Sequence, residues 1–157
     1  RDGYEALPAY LPPPERRGLV LIDPPFEEGN ATRKLDFERM FQVARKAVAR
    51  RPGGTYLFWR PVKDIGAVNG FDSALADFLI EEVGLSSEKL LVADLWVKAI
   101  GAGPLAGAGL VIVNPPYGVE QALKTVLPWL ANLMDQTRDE VTSGAGWRLV
   151  RPRQEAG

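Results

Sequence analysis

Cysteine and histidine are both missing from this 157-residue chain. The first absence removes thiolate nucleophiles and disulfides, the second removes imidazole general bases, and together they remove the commonest zinc ligands. No metal is expected. No apolar run approaches the roughly 20 residues of a membrane-spanning helix, and no secretory leader is visible. A cytoplasmic monomer without a membrane partner is the expectation, which the lack of cysteine fits. Neither sign of charge dominates: 19 basic residues face 20 acidic ones, so net charge gives no reason to expect nucleic acid. With 46% hydrophobic and 25% charged residues, the chain reads as one globular domain at most, large enough for a core.

What is present begins with Leu19-Val20-Leu21-Ile22-Asp23-Pro24-Pro25-Phe26. Four consecutive apolar residues fit a strand buried on both faces, as in a parallel sheet. Asp23 then stands where the strand emerges, at the edge where open α/β sheets bind ligands. Pro24 and Pro25 lack amide hydrogens and have fixed φ angles, so the turn is stiff. It holds a carboxylate, its neighbouring carbonyls and an aromatic ring in one arrangement. A planar base with an exocyclic amine needs such a site: the ring stacks on its face while the oxygens accept from the NH₂ group. A Pro-Pro turn whose Asp caps the next element is the bland alternative.

The rest of the chain alternates strands and helices, which argues for an α/β sheet, parallel at least in its first half. Leu11-Pro12-Pro13-Pro14 is a stiff connector. Asp36 to Arg50 reads as an amphipathic helix with Phe37, Met40, Phe41, Ala44, Ala47 and Val48 on its apolar face. Thr55–Trp59 is the next strand. A helix carrying Phe71, Leu75, Phe78, Leu79 and Val83 stops at Gly84. Leu90–Val97 and Leu110–Val113 are strands, Val119 to Met134 a helix kinked or restarted at Pro128, and Trp147–Val150 a weak closing strand. Residues 33–63 hold nine Lys/Arg (Arg33, Lys34, Arg39, Arg45, Lys46, Arg50, Arg51, Arg60, Lys63) against Asp36 and Glu38. That stripe fits a phosphate backbone passing the site and equally a solvated helix face. The chain opens Arg1-Asp2-Gly3 without methionine, as a fragment or a processed chain would.

Two segments invite misreading. The glycine-rich run from Gly101 to Gly109 resembles a cofactor loop, but such a loop opens a helix, and here a strand follows. A hairpin connection is expected. Asn114-Pro115-Pro116-Tyr117 repeats the amine-site pattern, but too little chain follows for the strands a catalytic turn needs. It reads as a strand-to-helix turn, a wall of the same pocket.

Residues 16–27 (Arg-Arg-Gly-Leu-Val-Leu-Ile-Asp-Pro-Pro-Phe-Glu), Trp59-Arg60-Pro61-Val62, residues 109–117 (Gly-Leu-Val-Ile-Val-Asn-Pro-Pro-Tyr) and Leu127-Pro128-Trp129-Leu130 form one ordered set of landmarks. They resemble the bacterial large-subunit ribosomal RNA adenine-N6 methyltransferases that modify 23S rRNA, over nearly the whole chain. The resemblance implies a Rossmann-like class I methyltransferase sheet with helices on both faces. Residues 1–157 would be its C-terminal half, part of a single catalytic domain whose glycine-rich cofactor loop lies upstream. It implies S-adenosylmethionine as cofactor, with Asp2 and Gly3 contacting its adenosine. It puts Asp23 on the catalytic aspartate, with Pro24, Pro25 and Phe26 completing the turn. Phe26 stands where the family usually has tyrosine, keeping the stacking face and losing a hydroxyl. Arg60 stands where an aromatic is common. The implied activity is N6-methylation of an adenine in 23S rRNA. A DNA or other amine methyltransferase and a non-catalytic RNA-binding or assembly module remain as alternatives.

Overall fold

The computed structural model describes residues 2–15, 17–26, 30–101, 105–137 and 144–153, the side chains of 30–34 excepted. Arg16 and Glu27 of the landmarks, the side chains of Arg33 and Lys34, and residues 102–104 of the glycine-rich run lie outside that description.

The elements follow as α1 (Gly3–Ala9), β1 (Leu19–Ile22), α2 (Asn30–Arg50), β2 (Thr55–Val62), α3 (Ile65–Asp77), β3 (Leu90–Trp96), β4 (Gly107–Val113), α4 (Val119–Leu133) and β5 (Gly146–Val150). They build a mixed α/β unit on a five-stranded sheet ordered β1-β2-β4-β3-β5. β1 and β2 are parallel, while β4 runs antiparallel to β2 and β3, and β5 antiparallel to β3. So β1, β2 and β3 point one way, and the expected β3–β4 hairpin is present.

Alternation along the strands sorts the core into two faces. Tyr56, Phe58, Leu90, Val92, Val111 and Val113 join Ile22 on one face, packed on Met40, Ala44, Ala47 and Val48 of α2 and Phe71 and Leu75 of α3. The buried Leu91 and Ile112 point the other way, where α4 meets β3 and β5 and buries Leu127 and Ala131. The apolar spacing of α2 that the sequence shows therefore selects its buried stripe.

Several expectations change, among them the start of α2, which lies at Asn30 rather than Asp36. β1 is not buried on both faces: it is an outer strand whose Val20 and Ile22 turn to the core, while Leu19 and Leu21 stay 59% and 57% exposed. Among the described residues it pairs only with β2, and Leu21 opens onto a cavity that Gly3, Tyr4 and Leu7 of α1 also line. β2 continues past Trp59 to Val62. β1 ends opposite Phe58, so the last residues of β2 have β4 on one side only, and Pro61 is tolerated there. α3 runs into a wider turn over Phe78–Glu82, closed by Val83 N donating to Phe78 O at 3.1 Å, before Gly84 reverses the chain at φ +78. α1, only seven residues long, is an element that the sequence pattern does not announce.

Gly107 and Gly109 belong to β4, and close packing explains both. A Cβ on Gly107 would lie 2.0 Å from Leu95 O, and one on Gly109 would lie 1.9 Å from Asp94 Oδ1 and 2.1 Å from Arg60 Nη1. Neither glycine is kept for a loop conformation.

Candidate active site

β1 delivers Asp23 to the rim where the parallel strands end. Asp23, Pro24 and Pro25 line one side of a cavity of about 410 Å³, and Asp2, Gly3, Tyr4 and Leu7 line the other. The carboxylate expected to hold an amine and the Asp-Gly pair expected to meet an adenosine therefore share one pocket. Asp2 is the N-cap of α1, its Oδ1 accepting from Tyr4 N at 2.8 Å, which fixes the carboxylate at the cavity mouth. Pro24 is buried and Asp23 is exposed to solvent.

Phe26 lies beside this cavity rather than in its wall. Its ring packs on Phe37 at 5.1 Å and on Trp59 at 5.9 Å, and Phe37 packs on Phe71 at 5.3 Å. Its backbone adopts φ +43, the left-handed region, which costs a bulky residue about 1–3 kcal/mol and persists only where neighbours enforce it. The aromatic cluster supplies that enforcement.

Sequence reasoning missed two polar features here. Among the described residues, the Tyr4 hydroxyl and Asp36 Oδ2 are buried without a hydrogen-bond partner. Burial, and then the nearby Asp36 charge, push the Tyr4 phenol up to about 12. Tyr4 also lines the cavity. The second feature surrounds Arg60, which is fully buried. Its Nε donates to Asp72 Oδ1 at 2.6 Å, its Nη2 to Asp72 Oδ2 at 2.5 Å and its Nη1 to Asp94 Oδ1 at 2.6 Å. Arg148 closes the network, donating to Asp94 Oδ2 at 2.7 Å, Asp72 Oδ2 at 3.2 Å and Asn69 Oδ1 at 2.9 Å. Two guanidinium groups and two carboxylates balance in charge. Burial pulls Arg60 towards neutrality, but the hydrogen bonds and charges of Asp72 and Asp94 outweigh it and hold the guanidinium above its ordinary pKa.

The basic stripe is mostly committed within the fold. Arg45 pairs with Glu82 at 3.2 Å and lies over the Phe78 ring. Arg50 donates to the Pro8 carbonyl, and Arg51 to the carbonyls of Pro13 and Glu15. These contacts tie α2 to α1 and to the proline connector. Arg39 and Lys46 remain exposed, along a groove shared with Glu5 and Glu38.

The second Pro-Pro motif is not a wall of this pocket. β4 is antiparallel to β2, so Asn114 emerges at the opposite rim of the sheet. Asn114 Nδ2 donates to Pro52 O and Gly54 O at 2.7 Å each, and its carbonyl accepts from Thr55 Oγ1 at 3.0 Å. It locks the turn that leads into β2. The two turns also differ in backbone: in the first the aromatic residue takes positive φ, in the second Asn114 does, at φ +51. Tyr117 projects fully into solvent.

The family described as ribosomal RNA large subunit methyltransferase D, RlmJ, matches residues 1–148. The chain is 33% identical over 129 residues to the ribosomal RNA large subunit methyltransferase J of Escherichia coli, covering 82% of this chain and 42% of that protein. It is 32% identical over 134 residues to the protein of the same name from Haemophilus influenzae, covering 85% and 43%. Thus it spans about two fifths of the length of these relatives. The crystal structure of a Legionella pneumophila protein superimposes with a TM-score of 0.76 at 29% identity, covering 96% of this chain and 49% of that one. By sequence and by fold, the chain belongs to the RlmJ family of ribosomal RNA large subunit methyltransferases.

Proposed function

We propose that the protein carrying this chain methylates the exocyclic amine, N6, of an adenine in 23S ribosomal RNA with S-adenosylmethionine as donor, and that residues 1–157 are the C-terminal part of one class I catalytic domain. The observation that supports this most is the meeting of Asp23-Pro24-Pro25 and Asp2-Gly3 around one cavity at the C-terminal end of β1. The order β1-β2-β4-β3 with β4 reversed suits the end of such a domain.

The residues present fit an adenosine. It offers an amine and hydroxyls as donors, and the cavity presents the Asp2 carboxylate and the apolar walls of Leu7, Val20 and Leu21. When bound, S-adenosylmethionine supplies a methyl group on a positively charged sulfur. The chain's own part is to orient the acceptor. Phe26 lies against the face of the extruded base. Asp23 and a carbonyl of its rigid turn accept from the amine, drawing the nitrogen lone pair out of conjugation and aiming it at the methyl carbon. With an in-line displacement, most of the rate comes from positioning and electrostatics.

The test is a substrate panel with the full-length protein: unmodified 23S rRNA, duplex DNA and a protein extract, each with labelled donor, followed by digestion to nucleosides. Label in N6-methyladenosine from rRNA is the expected result. Label only in DNA or protein selects the other amine methyltransferases, and RNA binding without transfer selects the assembly module.

A further inference from the structure

We propose that Arg60 is a positioning residue of the base site, acting on the ring of Phe26 through the two ends of its aromatic support. The inference rests on the reading above, in which Phe26 meets the target base.

Phe26 holds a left-handed backbone conformation that a phenylalanine leaves unless its surroundings enforce it. Its ring has two supports, Trp59 on β2 and Phe37 on α2, and Phe37 is itself backed by Phe71 on α3. Trp59 and Phe71 are thus the outer ends of the cradle. Each is the chain neighbour of a member of the buried ion network: Arg60 follows Trp59, and Asp72 follows Phe71. The two-pronged bond between Arg60 and Asp72, at 2.6 and 2.5 Å, fixes the distance between those ends. Asp94 holds the third guanidinium nitrogen and is itself held by Arg148, so the clamp is anchored to β3 and β5. A planar guanidinium is needed for this geometry, since an ammonium cannot make the parallel pair of bonds.

A merely structural arginine would damage stability and activity together, whatever stood at Phe26. A positioning arginine has no effect once Phe26 is gone, so a double-mutant cycle in the full-length protein separates the two. Arg60→Lys is expected to lower kcat/KM for the rRNA substrate by roughly 10²-fold, as small misplacements of a reacting group do. In a Phe26→Ala background the same change is expected to matter by less than about twofold, the limit of ordinary additivity. Equal losses in both backgrounds would overturn the proposal. Should Arg60→Lys not fold, Arg60→Met combined with Asp72→Asn removes one charge of each sign and carries the same measurement. Fluorine NMR of fluorophenylalanine-labelled protein supplies a readout independent of catalysis. Arg60→Lys should move the Phe26, Phe37 and Phe71 resonances and leave the separate Phe41–Phe78 pair unchanged. If the wild type methylates nothing, the functional reading fails, and the spectrum still decides: a Phe26 resonance indifferent to Arg60→Lys would sink the positional role.

Discussion

Residue by residue, the two Pro-Pro motifs make opposite forecasts. Among the described residues Asp23 has no side-chain partner that its loss would orphan, so Asp23→Ala in the full-length protein should leave folding and cofactor affinity nearly intact and depress methyl transfer by two or more orders of magnitude, as loss of a key electrostatic contact does. Asn114→Ala should do the reverse. It strips a donor from the carbonyls of Pro52 and Gly54, costing about 0.5–1.5 kcal/mol of stability for each bond with little direct effect on transfer. Urea midpoints and single-turnover rates read the two apart. Gly109→Ala forces a methyl group into the Arg60–Asp94 contact, and breaking a buried pair costs about 3–5 kcal/mol; the variant should be recovered unfolded or with a greatly lowered midpoint. Tyr4 offers a test by pH. Its phenol rises from 10.0 to about 12 on folding, first by burial and then by Asp36, so the folded state binds that proton more tightly. The associated stability is complete below pH 10.0 and disappears as pH climbs through about 12. Tyr4→Phe should therefore flatten the fall of the urea midpoint across that window. The place of Asp23, at the end of β1 and on the cavity, is legible in the sequence because the strand and the Pro-Pro turn that set it are adjacent residues. The Arg60 network is not, because its partners lie 12 and 34 positions away and only the packed sheet brings them together.

Among the elements, those read from apolar spacing survive where the spacing itself decides burial. α2, α3, α4 and the β3–β4 hairpin follow the pattern of their side chains. The failures share another cause: an edge is a property of neighbours, and neighbours are not written locally. Leu19-Val20-Leu21-Ile22 looks the same whether one face or two are covered, and Pro61 looks like a stop because nothing nearby announces that β1 ends first. α1 falls below the length at which a 3.6-residue period can be recognised. The basic stripe changes meaning once α2 is seen from all sides, since Arg45, Arg50 and Arg51 serve the fold. That division can be measured. Arg50→Ala should loosen α1 from α2, seen as faster amide exchange over Gly3–Ala9, with an unchanged salt dependence of RNA binding. Arg39→Ala with Lys46→Ala should leave the fold unchanged and lower the slope of log K against log salt by roughly 0.7–0.9 for each phosphate no longer neutralised.

For the whole molecule, the function proposed above assigns to this chain the half of the active site that meets the target base, and to Asp2 and Gly3 one side of an adenosine site; the chain covers about two fifths of its relatives' length. Residues 1–157 alone are therefore expected to bind S-adenosylmethionine weakly or not at all by calorimetry, whereas micromolar binding would move the cofactor elsewhere on this surface.

The outer strand has a practical side. β1 leaves one row of backbone donors and acceptors without a strand partner among the described residues, and it sets Leu19 and Leu21 in solvent beside them. An apolar edge of that kind is a template for strands from other molecules. Preparations of these 157 residues by themselves should accordingly sediment as larger species as concentration rises, and thioflavin fluorescence should grow on standing. Leu19→Lys, which places a charge on the exposed face without touching the buried side of the strand or the cavity, should keep the solution clear.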